Sequence, residues 1–299
     1  MKVAVAGSSG LVGEPLCRLL REHGHDVVRL VRRKVSGSDE IEWNPVAGEL
    51  DRTQLESVHA VVHLGGENIS ARRWTPEQKE KIRSSRVDST ALLARELAAL
   101  EKAPRVFVVA SAIGYYGDRG DLVLTETTAR GEGYLAKVCQ AWEAAAAPAK
   151  ERGVRVVHLR YGVILSQRGG ALRKMLTPFR LGAGGRLGSG RQYVSWISLD
   201  DAVRSTAHAV ECDALSGAVN CVSPGAVTNA EFTRALGAVL HRPTVFPMPA
   251  FAARLAFGEM ADELLLASAR VQPTKLGASG FAFLHAELEP TLRYLLQAK

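Results

Sequence analysis

This 299-residue chain lacks several sequence features that would by themselves identify its class of protein. No apolar run reaches the roughly 18 residues that a membrane-spanning helix needs, and the first residues show no secretory signal pattern. Aromatic residues make up only 6% of the chain, and no nucleic-acid-binding motif is present. The four cysteines show no Cys-x-x-Cys spacing, and no group of His, Cys, Asp and Glu has the spacing of a metal site. These absences predict a reduced, cytoplasmic, globular protein with no metal and no membrane or nucleic-acid partner.

Acidic residues are missing from one long segment. Residues 152–191 contain nine Arg and Lys residues and no Asp or Glu, so subtracting nine from the net charge of +7 leaves −2 for the rest of the chain. A local excess of positive charge favours a site for a small anion over general adhesion to polyanions. A solvated basic face would explain the same composition equally well.

Apolar segments of strand length alternate with segments of helical periodicity along most of the chain. The predicted strands are 3–6, 26–31, 41–43, 60–64, 106–110, 154–159, 194–197 and 219–222, and the predicted helices are 11–23, 76–100, 134–150, 169–181 and 199–210. Continuous apolar strands that alternate with helices predict an α/β fold with a doubly wound parallel (Rossmann) sheet. Shorter helices punctuated by proline follow Pro224, which predicts a smaller, mostly helical C-terminal lobe.

The first predicted strand leads directly into three glycines that open a helix. A Gly-x-x-Gly-x-x-Gly pattern is weak alone, because glycines also form plain turns, but a strand before it and a helix after it are the context that dinucleotide binding needs. Bare backbone N–H groups at a helix N-terminus suit a pyrophosphate. We therefore predict a dinucleotide site along this turn, formed by Gly7, Ser8, Ser9, Gly10, Leu11, Val12 and Gly13.

The second predicted strand indicates which dinucleotide this is. Enzymes that use NAD place an acidic residue about 20 residues after the glycines to bind the ribose 2′-hydroxyl. Here the strand ends in Arg32 and Arg33 with no acid. A guanidinium group suits a 2′-phosphate, which predicts NADP as the cofactor. The alternative is an exposed basic turn.

Longer stretches resemble a known family. The most specific are 7–13, 61–68, 111–117, 160–165, 182–192 and 196–201, with shorter matches at 72–75, 85–86 and 229–232. Together they resemble an atypical extended short-chain dehydrogenase/reductase of the epimerase family subgroup, related to nucleotide-sugar epimerases. The resemblance runs from Met1 to about Phe283.

The resemblance implies a Rossmann domain over 1–165, completed by about 192–222, with NADP at the carboxyl ends of the strands. Residues 166–191 and 223–299 would form a substrate lobe. It places Val31 and Arg32 at the adenosine ribose and its phosphate, and Leu64 and Gly65 on the adenine side. Arg86 would be a further cofactor contact, and a surface salt bridge is its alternative role.

The Tyr-x-x-x-Lys pair with which the wider superfamily moves a proton is not present. The corresponding helix carries Tyr134 and Lys137 three residues apart, a spacing that still shares one helix face. If Glu143 sets the register, the pair falls on Leu135 and Cys139 instead. An amphipathic helix without catalytic function is the alternative.

Other candidates for proton transfer lie after the fifth long strand. Ser111 is one residue from the position of the usual hydroxyl, which Ala112 occupies when Tyr116 and Gly117 set the alignment. Tyr115 and Tyr116 are alternatives, or they pack at a strand end. His63 and His158 lie in apolar strands and are expected to be core residues.

A glycine-rich loop at 182–190 lies inside the basic segment. Its backbone amides, with Arg186 and Arg191, would suit an anionic substrate, although a flexible connector has the same composition. The sequence therefore predicts an NADP-dependent oxidoreductase, or an enzyme like the nucleotide-sugar epimerases, acting on a small anionic molecule. The alternative is an NADP-binding regulator or scaffold without catalysis.

Overall fold

The computed structural model describes residues 1–297, so residues 298 and 299 of the predicted substrate lobe lie outside the described part. The strands are β1 (Lys2–Ala6), β2 (Asp26–Val31), β3 (Glu40–Asn44), β4 (Glu49–Leu50), β5 (Ala60–His63), β6 (Val106–Ala112), β7 (Val123–Leu124), β8 (Arg155–Tyr161), β9 (Val163–Leu165), β10 (Tyr193–Val194), β11 (Trp196–Ser198), β12 (Gly217–Cys221), β13 (Val227–Thr228) and β14 (Arg270–Val271). The helices are α1 (Gly13–Glu22), α2 (Pro76–Ala98), α3 (Tyr134–Ala144), α4 (Ala147–Glu151), α5 (Gly170–Arg180), α6 (Leu199–Glu211), α7 (Asn229–Leu240), α8 (Ala250–Phe257), α9 (Thr274–Ala278) and α10 (Leu288–Leu296).

Eight of these strands form one sheet in the order β12-β8-β6-β5-β1-β2-β3-β4. β1 pairs in parallel with β2 on one side and with β5 on the other, whereas the short edge strand β4 is antiparallel to its neighbour β3. The chain therefore winds outward in both directions from β1, and the strand order reverses between β1 and β5. This arrangement confirms the doubly wound Rossmann sheet, in which ligands bind at that switch point.

The central strands are buried because they carry apolar side chains on both faces. Residues 3–6 of β1 and Val61 and Val62 of β5 have no exposed surface. A strand covered on both faces has no polar alternation, which is why these segments appear in the sequence as continuous apolar runs. α1 packs on this sheet through Leu16 and Leu20, which are also fully buried.

Two predicted elements were wrong in their extent. The helix predicted over 134–150 is broken into α3 and α4, because Pro148 lacks an N–H and its ring would clash with the carbonyl group of Ala144. The strand predicted over 194–197 is two short strands, β10 and β11, with different partners. Ser195 lies between them, and its hydroxyl donates to the Ala269 carbonyl at 2.7 Å.

The chain divides into two compact units. The first contains Met1–Ser111, Val138–Leu159 and Val203–Val219, and the second contains Ala112–Lys137, Arg160–Ala202 and the chain from Asn220 onward. The second unit therefore includes Ala112–Lys137, which the sequence boundaries assign to the nucleotide-binding domain. Its core joins α5, α7 and α10 around the fully buried Trp196.

Cys17, Cys139 and Cys221 are buried free thiols, and Cys212 is partly exposed. Among the described residues, no helix is both long and apolar enough to cross a membrane.

Candidate functional site

The glycine turn after β1 packs backbone against backbone. Gly7 has a φ of +79°, and its carbonyl oxygen accepts a hydrogen bond from the Gly10 N–H at 3.0 Å. A Cβ on Gly7 would lie 2.9 Å from the Leu64 carbonyl carbon and the Gly65 nitrogen, in the loop after β5. A Cβ on Gly13 would lie 2.1 Å from the Gly7 carbonyl oxygen. Side chains are therefore excluded where the loops after β1 and β5 meet at the switch point.

The N-terminus of α1 begins inside this turn. Helical hydrogen bonds start at Gly10, whose carbonyl accepts from the Glu14 N–H at 3.1 Å. The first N–H groups of a helix have no partner within it and carry a partial positive charge. Ser9 and Gly10 are exposed, and Ser8, Leu11 and Val12 are partly exposed, so an anion can reach this backbone. This accessible backbone between Gly7 and Gly13, the backbone cradle, therefore fits a pyrophosphate.

The two arginines after β2 differ in what they contact. Arg33 forms a two-point ion pair with Glu40, with its two terminal nitrogens 2.9 Å and 2.6 Å from the carboxylate oxygens. This pair and the Ser36 N–H lower the pKa of Glu40 to about 2. Arg32 is exposed and makes no hydrogen bond or ion pair with the described residues. Arg32 is therefore the guanidinium that is available to a ligand here, while half-buried Val31 ends β2.

Arg86 holds the loop after β5. Its guanidinium donates to the carbonyl oxygens of Glu67 at 2.9 Å and Ile82 at 3.0 Å, and lies 5.2 Å from the ring centre of Trp142. A Cβ on Gly66 would come within 3.1 Å of the guanidinium carbon. Arg86 is half-buried against this backbone, so it shapes the loop in addition to any ligand contact.

His63, at the end of β5, is a core residue, which confirms that prediction. Its Nε2 lies 2.8 Å from the Ser89 hydroxyl oxygen, and that hydroxyl donates onward to the Ser85 carbonyl at 2.7 Å. The network therefore assigns the ring proton to Nε2. Complete burial, and secondarily the charge of Arg86, lower the pKa of His63 to about 3. His63 is thus a neutral structural group.

Ser111, at the end of β6, is almost fully buried, and its hydroxyl donates to Oε1 of Glu143 at 2.8 Å. The hydroxyl proton is therefore directed at Glu143, and the oxygen keeps lone pairs for another donor. Glu143 lies on α3, one turn after the buried Cys139.

The start of α3 is capped by a residue far along the chain. Oε1 of Glu263 accepts a hydrogen bond from the Tyr134 N–H at 2.8 Å, and Oε2 accepts one from the Leu135 N–H at 3.0 Å. Tyr134 is half-buried and Lys137 exposed, whereas Leu135 and Cys139 of the alternative register are buried. The register set by Glu143 thus offers apolar packing where the superfamily has its Tyr and Lys.

Tyr116 belongs to a buried network. Its hydroxyl donates to Oδ1 of Asn220 at 2.7 Å and accepts from Arg160 at 3.0 Å, and burial raises its pKa. Arg160 is itself buried, with its guanidinium carbon 3.5 Å from the ring centre of Tyr115. These contacts favour a structural role for Tyr116. The ring of Tyr115 is half-buried beneath the guanidinium.

Hydrogen bonds to its backbone hold the glycine-rich loop at 182–190 in place. The Leu187 N–H donates to Oδ1 of Asn229 at 2.8 Å, and the Gly188 N–H donates to the Met248 carbonyl at 2.9 Å. Arg186 and Arg191 are exposed, and within the described chain neither guanidinium has an ion-pair partner. A Cβ on Gly190 would lie 3.3 Å from the stem of Arg186. The loop therefore presents two free cations from a fixed backbone.

The basic segment is not one surface. Arg155 donates to the carbonyl oxygens of Ala209, Val210 and Leu215, at and just beyond the end of α6. Arg160 is buried with the tyrosines. The excess charge of 152–191 is thus divided between buried or half-buried arginines with structural contacts and exposed basic residues, among them Arg186 and Arg191.

The contacts of Glu40, Glu263 and Asn229 were not predicted from the sequence, although Asn229 stands in one of the stretches that resemble the family. Each acts on a partner that no local pattern identifies, and Glu263 is 129 residues from the helix that it caps. The residues predicted from the glycine pattern lie together at the switch point. Ser111 lies in the first unit, and the tyrosines, Lys137 and the loop arginines lie in the second.

The sheet order and the glycine turn define a Rossmann-type α/β protein. The sequence model described as the NAD dependent epimerase/dehydratase family matches residues 3–221, and a domain of unknown function matches 248–295. The chain belongs to the NAD dependent epimerase/dehydratase family.

Similar proteins span the whole chain. An epimerase family protein of Mycobacterium bovis is 47% identical over 292 residues, covering 98% of this chain and 96% of the relative. The crystal structure of human epimerase family protein SDR39U1 with NADPH matches with a TM-score of 0.89 and 32% identity, covering 99% of each chain. A nucleoside-diphosphate sugar epimerase from Corynebacterium glutamicum matches with a TM-score of 0.84 and 34% identity, and this chain spans 59% of it.

Proposed function

We propose that this protein binds NADP(H) and acts as an oxidoreductase, or as an enzyme like the nucleotide-sugar epimerases, on a small anionic substrate. The observation that carries the proposal is the backbone cradle at Gly7 and Gly13, next to the unpaired Arg32. The human relative, at 32% identity across its whole length, is described as a structure with NADPH, which supports the same cofactor here.

Different residues of the first unit would bind different parts of the cofactor. The N–H groups of the glycine turn would hold the pyrophosphate, and Arg32 would pair with the 2′-phosphate. Leu64 and Gly65, at the close approach to Gly7, would line the adenine side. When bound, the nicotinamide supplies a hydride donor or acceptor, and the protein orients and polarises the substrate.

The proton would be exchanged by a hydroxyl group of this chain. Tyr134, with Lys137 on the same face of α3, is one candidate, and Ser111 could accept a hydrogen bond from the substrate while it donates to Glu143. Tyr115 remains the alternative tyrosine, because the hydroxyl of Tyr116 is buried and occupied by Asn220 and Arg160.

The anionic substrate is proposed from the two free arginines. Arg186 lies in a loop whose backbone is fixed, and Arg191 directly follows this loop. Neither guanidinium has a carboxylate partner among the described residues. We expect UDP and UDP-glucose, used as probes, to bind the wild type and to bind the Arg186→Ala/Arg191→Ala double variant at least about tenfold more weakly. Arg173→Ala, an exposed basic residue of α5, is the matched control. Unchanged affinity of the double variant for both probes would contradict the proposal that these arginines bind an anionic substrate.

A second candidate function is a redox-responsive NADP-binding regulator or scaffold without turnover. The observation that favours it is the buried pair Leu135 and Cys139, which occupies the catalytic positions in the register set by Glu143.

Incubation with NADP⁺ or NADPH and a panel of carbonyl and nucleotide-sugar substrates separates the two functions. Turnover is followed both by the change in NADPH and by analysis of the sugar products, because an epimerase regenerates its cofactor and consumes no NADPH. Turnover that is lost in Tyr134→Phe or Ser111→Ala, and kept in the control Tyr294→Phe on α10, is the outcome expected of the enzyme. NADPH binding without turnover of any member of the panel is the outcome expected of the regulator.

A further inference from the structure

Two histidines and one glutamate meet at the surface of the first unit, at the other end of α1 from the glycine turn. His23 caps the C-terminus of α1, His25 precedes β2, and Glu211 is the last residue of α6. One carboxylate oxygen of Glu211 lies 2.8 Å from Nδ1 of His23 and 2.9 Å from Nε2 of His25. The two nitrogens and the oxygen all lie within 4.8 Å of one another.

These atoms match the ligands that zinc takes in proteins. Imidazole nitrogen and carboxylate oxygen bind Zn²⁺ at about 2.0–2.2 Å in a tetrahedral arrangement, which separates neighbouring ligand atoms by roughly 3.3 Å. Each of the two nitrogen–oxygen distances therefore has to open by only about 0.5 Å to reach that separation. Two imidazoles favour Zn²⁺ over Mg²⁺ or Ca²⁺, which prefer oxygen ligands alone.

The site is open enough for an ion to enter, and the Glu211 carboxylate would neutralise part of the charge of the ion. The side chains of His23 and Glu211 are 42% and 34% exposed, whereas that of His25 is only 10% exposed and is held in place. Glu211 contributes a carboxylate, which is a Zn²⁺ ligand, and its Oε1 lies against both imidazole rings.

Zinc has to replace the protons that the two rings share with this carboxylate, so its binding releases protons. The Met1 amino group lies 3.3 Å from Nδ1 of His25. Ligation through Nε2 puts the ring proton on that Nδ1, which requires the exposed amino group to be neutral or to turn to solvent.

We propose that His23, His25 and Glu211 form a surface Zn²⁺ site with water as the fourth ligand. The ion would link the end of α1 and the start of β2 to the end of α6. No local sequence pattern marks this site, because Glu211 lies 186 residues after His25 in the chain. The proposal is independent of the cofactor site, since Gly13 and His23 lie at opposite ends of α1.

Zinc titration of the full chain without a polyhistidine tag tests the site. After treatment with EDTA and dialysis, ZnCl₂ is added in competition with a chromophoric chelator. We expect one Zn²⁺ per chain, and affinity lower by about 10- to 100-fold or more in His23→Ala and Glu211→Gln. A ligand that binds only the folded state stabilises it, so zinc should also raise the Tm of the wild type but not of these variants.

Two control variants make the titration specific. His59→Ala removes an exposed imidazole of the same unit outside the cluster, and Cys212→Ser removes the thiol next to Glu211. Both should bind zinc as the wild type does, and the unfolding temperature of each variant in EDTA is the reference from which its own zinc-induced shift in Tm is measured. Equal zinc affinity in wild type and His23→Ala, loss in Cys212→Ser, or no 1:1 binding at all overturns the proposal.

Discussion

The carbonyl oxygen of Gly7 occupies the space that a Cβ on Gly13 would need, at a separation of 2.1 Å. The two glycines therefore act together. Gly7 turns the chain with a φ of +79°, and Gly13, which has no side chain, allows α1 to start in contact with that turn. The proposed pyrophosphate site depends on this contact, since it brings the N-terminus of α1 to the carboxyl end of β1.

Gly13→Ala should damage both folding and cofactor binding. The added methyl forces Gly7 to move, which we expect to cost about 1–3 kcal/mol in the free energy of unfolding and to abolish detectable NADPH binding. Urea unfolding and a fluorescence titration with NADPH measure the two effects. Gly277→Ala in α9 is the control, because a Cβ there meets nothing within 4 Å and should leave both quantities at or above the wild-type value. Equal behaviour of the two variants would contradict the account.

Lowering the pH should remove the contribution that the ionised Glu40 side chain makes to the free energy of unfolding. Its pKa is lowered in the folded state from an ordinary 4.5 to about 2, first by Arg33 and then by the Ser36 N–H. Such a group contributes stability that is present above its unfolded pKa and is lost as the pH falls through the folded pKa. The stability difference between wild type and Glu40→Gln should therefore shrink below about pH 4.5.

Thermal unfolding of both proteins from about pH 7 down to pH 3 measures this difference. Glu49→Gln, at an exposed carboxylate of β4, should show no such trend. A difference for Glu40→Gln that stays constant or grows as the pH falls would show that the ion pair does not act as described.

Glu263 should stabilise α3 through its two hydrogen bonds. Glu263→Ala leaves the Tyr134 and Leu135 N–H groups without this partner, at a cost of about 1–2 kcal/mol, which is typical of a lost N-cap. Chemical unfolding measures the cost. Glu287→Ala is the matched control, because Glu287 stands at the N-terminus of α10 without a capping side-chain bond. A loss in Glu263→Ala no larger than in Glu287→Ala would remove Glu263 from this role.

The sequence predicted the parts of the fold that depend on local patterns. The strands 3–6 and 26–31 are apolar segments of strand length, and the structure has strands at both positions. Pro148 divided the predicted helix 134–150 because proline acts on the carbonyl four residues earlier, an effect that the apolar periodicity concealed.

The site was predictable where it follows from the turn and not where it depends on distant partners. The turn from Gly7 to Gly13 could be placed from the glycine spacing together with the strand before it and the helix after it. The difference between Arg32 and Arg33 could not, because it depends on Glu40 in the neighbouring strand β3. Likewise, the fixed backbone of the loop at 182–190 depends on Asn229, 42 residues beyond Leu187.

The central claim is that this turn binds NADP(H) and that Arg32 selects it over NAD(H). Equilibrium titration of the wild type, Arg32→Ala and Arg33→Ala with NADPH and NADH tests it most directly. We predict that the wild type prefers NADPH. Arg32→Ala should weaken NADPH binding by about 10- to 100-fold, the value of a charge-assisted hydrogen bond, and leave NADH binding unchanged. Arg33→Ala should have the smaller effect, because its guanidinium is held by Glu40. Equal affinity of the wild type for the two cofactors, or NADPH binding unaltered in Arg32→Ala, would contradict the account.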